Sequence, residues 1–310
     1  TIQIMNTPTN HPQGGKGDVL KQKAWRTSRL LVAALAIGLQ AAWPYGVMAA
    51  GRTNVVAWPY PAQALVPDDL TNAVALATGC CQWLALRSDG TVRGWAPLSS
   101  CTAKNPPPGL TNVVAIAAGC MHSLALRKNG TVICWGYNQF HQCDPPAGLN
   151  NVVAIAAGGD HSLALRSDGT VVAWGSDSSG ESRVPSGLAN VVAIAAGYFH
   201  SLALKRDGTV VSWGDSRTTL SGVTAIAAGM FHDMAVKTDG TVVAWGQNRY
   251  GQANVPHGLN DVVAVAGGEK HSLALKRDGT VVAWGDNSSG LTNVPSDCRN
   301  AVAITAGGTH

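Results

Sequence analysis

The sequence predicts an all-β protein, a seven-bladed β-propeller built from a repeat of about 39 residues. Three observations predict it. From Gly51 onward one phrase recurs, clearest at 152–175 as VVAIAAGGDHSLALRSDGTVVAWG. Its AAG element closes on a glycine at Gly79, Gly119, Gly158, Gly197, Gly229, Gly268 and Gly307, and its last strand ends on a tryptophan at Trp58, Trp95, Trp135, Trp174, Trp213, Trp245 and Trp284, so seven of each imply seven units. The composition agrees, because 36 glycines and only 13% charged residues suit a turn-rich β domain rather than a disordered chain.

At the N-terminus, Lys21, Lys23, Arg26 and Arg29 precede the apolar run 30–39, and small residues follow at Ala49 and Ala50. This order predicts a secretory signal within residues 1–50, since about a dozen apolar residues fall short of the roughly 20 that cross a bilayer. Residues 1–20 are assigned no structure. The propeller is expected over 51–310, secreted or held in the periplasm or cell envelope, with no integral membrane span. Residues 1–50 also hold five basic residues and one acid, which leaves 17 of each sign in the remainder. A duplex-binding protein carries a basic surplus, so no nucleic acid is expected as a partner.

Within a unit, the VVAIAAG and HSLAL runs are joined by a glycine-containing turn. HSLAL then meets TVVAW through Asp89-Gly90, Asn129-Gly130, Asp168-Gly169, Asp207-Gly208, Asp239-Gly240 or Asp278-Gly279. Such a dipeptide between apolar runs predicts a hairpin with both central residues at positive φ. Each unit is therefore a three-stranded meander, and the segment after the tryptophan can add a fourth, edge strand limited by its prolines. Sheets apolar on both faces must pack face to face around an axis, with each repeated tryptophan burying about 200 Å² between them.

The last unit stops after its first strand, whereas residues 54–58 read as the third strand of a unit lacking its first two. The two ends are thus expected to share the last blade, with its middle strand absent because the sequence is truncated after His310.

The phrase AAG, two variable residues, HSLAL and DGTVVAWG resembles the regulator of chromosome condensation repeat family over residues 52–310, and that resemblance implies a seven-bladed propeller. The short unit and the leader resemble its bacterial branch, which includes β-lactamase inhibitory protein II, a secreted propeller that binds an enzyme with one face. No position matches the exchange residues of the nuclear namesake. Two departures stand out: Gln82-Trp83 replaces His-Ser, and the glycine spacing contracts between Gly197 and Gly229, which deletes most of a return loop near 216–221.

His122, His161, His200, His232, His271 and His310 follow the AAG glycine at a fixed distance. A ring of imidazoles can hold a metal, but strict repetition favours a structural hydrogen bond within each blade, so neither metal nor cofactor is expected. Among seven cysteines, Cys80 with Cys120 and Cys101 with Cys143 are possible bridges, Cys134 reads as packed, and an odd count leaves at least one thiol over. A thiolate metal site from Cys80, Cys81, Cys120 and His122 fits no compact zinc spacing. No unique carboxylate pair, activated serine or phosphate loop stands out, so the protein is not read as an enzyme.

What is not repeated carries the functional reading. Met121, Tyr198, Phe199, Met230 and Phe231 fall in the variable pair after the AAG glycine, while Tyr137, Phe140 and Tyr250 follow the repeat tryptophan. In a meander both places share one face, and aromatic and methionine side chains there predict a protein-binding surface on a monomeric, secreted scaffold that inhibits or docks a partner. The alternatives are a propeller hydrolase or lyase with an axial site, and a guanine-nucleotide exchange or chromatin regulator.

Overall fold

The computed structural model describes residues 2–6, 53–58, 66–70, 72–96, 101–296 and 298–308. The basic and apolar leader, Tyr60 and His310 lie outside the described residues. Six contiguous antiparallel meanders, termed blades 1 to 6, follow one another. They comprise Ala73–Thr78, Trp83–Arg87 and Val92–Trp95; Val113–Ala118, His122–Arg127 and Val132–Gly136; Val152–Ala157, His161–Arg166 and Val171–Gly175; Val191–Ala196, His200–Lys205 and Val210–Gly214; Val223–Ala228, His232–Lys237 and Val242–Gly246; Val262–Gly267, His271–Lys276 and Val281–Gly285. Among the described residues a fourth strand forms only in blade 4, where Thr219–Leu220 pairs with Val211 and Val210.

Period-two alternation in HSLAL explains how the blades stack. In blade 2, Leu124 and Leu126 turn one way and pack with Val152, Ile155, Ala164 and Trp174 of blade 3. Leu163 and Leu165 of blade 3 in turn meet Val191, Ile194, Ala203 and Trp213 of blade 4. The middle strand thus presents large residues forward and small ones, serine and alanine, backward. Trp174 stands directly opposite Ser162 across the hairpin, and so shares its backward face. In these interfaces large side chains from one blade fill the space above small ones of the next.

The Asp-Gly turns differ from the expected geometry. Only the glycine takes positive φ, 77° at Gly90 and 81° at Gly169. Gly90 N–H donates to Arg87 O at 3.0 Å and Arg87 N–H to Thr91 O at 2.9 Å, which is a type I turn followed by a left-handed glycine. Asp89 remains outside the positive region because its carboxylate accepts from Thr91 N–H at 2.9 Å, fixing the turn through its own side chain.

The ends also differ from the expectation. Thr53–Ala57 and Ala301–Thr305 do lie in one sheet, but its middle position is taken by Ile2–Asn6, antiparallel to both. Two strands with facing unpaired edges need a third to satisfy their backbone groups, and this segment supplies it. On either side, Val55 and Ala57 pack with Ala73, Trp83 and Ala85 of blade 1, and Trp58 packs with Ala264, Leu273 and Val281 of blade 6.

First strands from all six blades, together with residues 304–306, surround a central channel of about 200 Å³ lined by alanine, valine, isoleucine, leucine, threonine and glycine. At one mouth the AAG glycines succeed one another so closely that a Cβ on Gly158 would lie 2.5 Å from the Gly197 carbonyl oxygen. Backbone bonds run from blade to blade there, from Cys120 N–H to Gly158 O at 3.1 Å and from Gly308 N–H to Gly79 O at 3.4 Å.

Candidate functional site

The repeated histidines are built into the blade interfaces. His122 Nε2 lies 3.0 Å from Ser162 Oγ, His161 Nε2 2.8 Å from Ser201 Oγ, and His232 Nε2 2.8 Å from Ser272 Oγ. Each bond joins one blade to the next, which corrects the expectation of a bond within a blade. The serine hydroxyl already donates to a return-loop carbonyl, as Ser162 does to Gln142 O at 2.9 Å, so the histidine supplies the proton from Nε2. The same carbonyl accepts from Trp174 Nε1 at 2.9 Å. Burial pushes His122 down to about 4, His161 to about 3 and His232 to about 4, so these imidazoles are neutral at physiological pH. Among the described residues no group of three His, Cys, Asp or Glu is arranged to hold a metal. In blade 1, Gln82 takes the histidine's place and donates from Nε2 to His122 O at 2.9 Å.

Where the return loop is cut short, no equivalent carbonyl serves blade 5, and two other residues replace it. Ser216 Oγ accepts from Trp245 Nε1 at 3.2 Å and donates to Asp233 Oδ2 at 2.7 Å. Asp233 stands where blades 2, 3, 4 and 6 have serine, and its Oδ1 accepts from His200 Nε2 at 2.6 Å. A hydroxyl, unlike a carbonyl, carries a proton that needs an acceptor, hence aspartate at 233. Serine, aspartate and histidine meet here, but the carboxylate lies between the other two, so the imidazole does not reach the hydroxyl as it does where histidine activates a serine nucleophile.

The variable face is assembled by backbone bonds between the two sequence positions singled out above. Tyr137 N–H donates to Met121 O at 2.9 Å, Asp215 N–H to Phe199 O at 3.1 Å and Gln247 N–H to Phe231 O at 2.8 Å. The turn after the first strand and the exit of the third are therefore neighbours. The eight residues form three patches. Tyr198 stacks on Phe231 at 5.6 Å and meets Phe199 edge-on at 4.5 Å, with Met230 beside them at the channel mouth. Tyr137 and Phe140 form a second pair at 6.3 Å, near Met121. Tyr250 stands with Lys270 and Arg249, cations 5.1 and 5.9 Å from its ring. Met121, Phe140, Tyr250 and Phe231 are 48, 45, 38 and 36% exposed, so four of the five large apolar side chains exposed among the described residues belong to this set, the fifth being Val302 on the 301–305 strand.

Cys80 and Cys120 are bridged, joining blades 1 and 2 at the channel mouth. The other pairings correct the expectation: Cys101 bonds Cys81, and Cys134 bonds Cys143 rather than packing as a thiol. Residues 101 and 143 leave the interface on different return loops, each nearer a cysteine of its own blade. Cys298 is buried between blade 6 and the shared sheet.

Five stretches, 113–142, 152–181, 191–217, 223–252 and 262–291, match the profile of the Regulator of chromosome condensation (RCC1) repeat. The chain belongs to the RCC1 repeat family. Four of the five matches end on Gln142, Glu181, Gln252 or Leu291, the residues whose carbonyls accept from the interface tryptophans. The fifth ends at residue 217, inside the shortened loop. No curated protein sequence matches the chain. In fold the RCC1 repeats are similar to Prp20p from Saccharomyces cerevisiae, at 22% identity and TM-score 0.67 over 80% of this chain and 83% of that one. They are also similar to the ectodomain of the Physcomitrella patens receptor kinase CR4, at 25% identity and TM-score 0.62 over 75% and 67%. Human WBSCR16 matches at 18% identity and TM-score 0.62 over 99% and 97%. These likenesses establish an RCC1-like propeller of repeated three-stranded sheets. Among the described residues no helix is long and apolar enough to cross a membrane.

Proposed function

We propose that this protein is an exported, non-enzymatic scaffold that binds a protein partner through its aromatic face, inhibiting or docking it. The observation that carries this reading is the Tyr198, Phe199 and Phe231 cluster, in which Tyr198 touches both phenylalanine rings across two adjacent blades on a face where apolar side chains are exposed. Rigid aromatic anchors with an adjacent methionine are the composition of interface hot spots. An aliphatic channel without a titratable lining side chain supports binding rather than catalysis.

The scaffold is read as a seven-bladed ring, with residues 53–57 and 301–305 as the outer strands of its seventh blade; cleavage of the leader would remove Ile2–Asn6 from the middle place, which another strand would then have to fill. Support comes from Trp58, whose Nε1 donates to Leu291 O at 3.1 Å, the bond that Trp135, Trp174, Trp213 and Trp284 each make to a carbonyl of the return loop leading into their blade. Export is supported by the leader pattern and by three disulfides, which persist in oxidising compartments. Prp20p is described as binding Gsp1p and histones, but at 22% identity only its fold carries over.

Replacing Tyr198, Phe199 and Phe231 together by alanine tests the reading. The expected result is loss of partner capture from envelope or culture extracts with thermal unfolding unaltered. Capture at the wild-type level by the triple variant overturns it.

A further inference from the structure

Resting on the protein-binding reading, we propose that the corner around Tyr250 is a carboxylate subsite, shaped to take an acidic side chain of the partner. The argument comes from comparing one place in different blades. Gln142 and Gln252 each follow an exposed aromatic residue by two positions, and that residue's backbone N–H donates to the glutamine Oε1, from Phe140 at 3.0 Å and from Tyr250 at 2.8 Å. The shared bond turns both carboxamides the same way, with Nε2 toward the second residue after the next blade's AAG glycine. In blade 3 that residue is Asp160, and Gln142 Nε2 donates to its Oδ1 at 3.1 Å. In blade 6 it is Lys270, which has donors only. Gln252 is fully buried, and its Nε2 has no acceptor.

A buried amide N–H without an acceptor is unfavourable, and where blade 3 supplies that acceptor as Asp160, blade 6 supplies a lysine, a combination that invites an anion. The carboxylates already nearby do not serve Gln252. Glu269 Oε1 lies 3.5 Å from Lys270 Nζ, and Asp286 Oδ1 accepts from Ser288 N–H at 2.9 Å. An incoming carboxylate placed as Asp160 is in blade 3 would accept from Gln252 Nε2 and pair with the Lys270 ammonium as that chain swings outward. Tyr250 would form its wall, with the Arg249 guanidinium on the same ring. Blade 4 confirms the logic by another route. There the glutamine position is Glu181, whose own carboxylate accepts from Ser179 N–H and Ser176 Oγ, both at 2.7 Å, and no donor is stranded.

The test follows the Gln252 side-chain amide by NMR in the full chain during titration with an acetylated, amidated Gly-Glu-Gly peptide. The same titration is run with its Gly-Gln-Gly counterpart and with acetate. A saturable shift with the glutamate peptide is expected, with both other probes weaker by about tenfold or more, as for a charge-assisted bond within a peptide-shaped site. Lys270→Asp, which puts the blade 3 side chain at this place, should abolish the response. No saturable shift, equal binding of the glutamine peptide, equal binding of acetate, or an undiminished response in Lys270→Asp overturns the proposal. The wild-type comparison of probes decides even if that variant fails to fold. Because Tyr198, Phe199 and Phe231 take no part, failure here leaves the aromatic reading standing, and failure there leaves this one measurable.

Discussion

Acidification should destabilise this protein through His122, His161 and His232. Each is buried against the next blade, donates from Nε2 to serine, and has no partner at Nδ1, so a second proton would create an unpaired buried cation. Burial holds them at about 4, about 3 and about 4, below the usual 6.5 of an exposed histidine. With the folded-state pKa depressed, the unfolded chain takes up protons first as pH falls. The stabilisation is whole above about pH 6.5 and is lost progressively down to the folded pKa values. Between about pH 7.5 and about pH 5 the linkage amounts to about 2 kcal/mol per histidine, about 6 kcal/mol for the three. Urea unfolding followed by tryptophan fluorescence at both pH values measures it. Gln82 shows that glutamine fits this position, so His122→Gln, His161→Gln and His232→Gln combined should flatten the response. A wild-type loss below about 1 kcal/mol, or an equal loss in the triple variant, refutes the reasoning, since both fall outside the linkage.

Three further outcomes are expected. Ser216→Ala strands both Trp245 Nε1 and Asp233 Oδ2 and should cost about 1–3 kcal/mol; a double-mutant cycle with Asp233→Asn should show coupling above about 0.5 kcal/mol by thermal or urea unfolding. Cys80→Ser with Cys120→Ser opens a bridge across a sequence separation of 40 and should lower unfolding free energy by about 4 kcal/mol in a non-reducing urea titration. N-terminal sequencing of the mature protein should find cleavage after Ala49 or Ala50. That cleavage and retention of Ile2–Asn6 in the shared sheet are mutually exclusive, so an intact N-terminus refutes export by this leader.

What the sequence shows directly is what lies within one unit. The three strands, the forward and backward faces of HSLAL and the position of each tryptophan follow from period-two patterning over a few residues. Grouping Met121 and Phe231 with Tyr137 and Tyr250 on one face needed only the direction of successive strands. Relations between units are less visible. The histidine to serine bonds span about 40 residues and look the same in the sequence whether they fall within a blade or across two. The contraction between Gly197 and Gly229 was plain, but its tie to Asp233 depended on a hydroxyl replacing a carbonyl, which only coordinates reveal. Asp89 misled the turn assignment because its side chain, not its backbone, supplies the extra constraint. Ile2–Asn6 has no counterpart in the repeat pattern, and nothing in the repeat connects it to strands 50 or 300 residues away.

The ring of glycines at the channel mouth governs how such a protein can change in size. Packing further out joins strands within a unit or one unit to its successor, and would be reproduced unaltered in an assembly with one unit more or fewer. At the axis the same neighbour-to-neighbour relation is at its tightest, since Gly158 and Gly197 leave less room than a methyl group needs. Gaining or losing a unit therefore concentrates its geometric strain on the circumference of this inner hoop. Because a Cβ on Gly158 would also come within 2.3 Å of His161 Cε1 in its own blade, a wider hoop alone would not admit a larger residue there; the histidine of that blade would have to change with it.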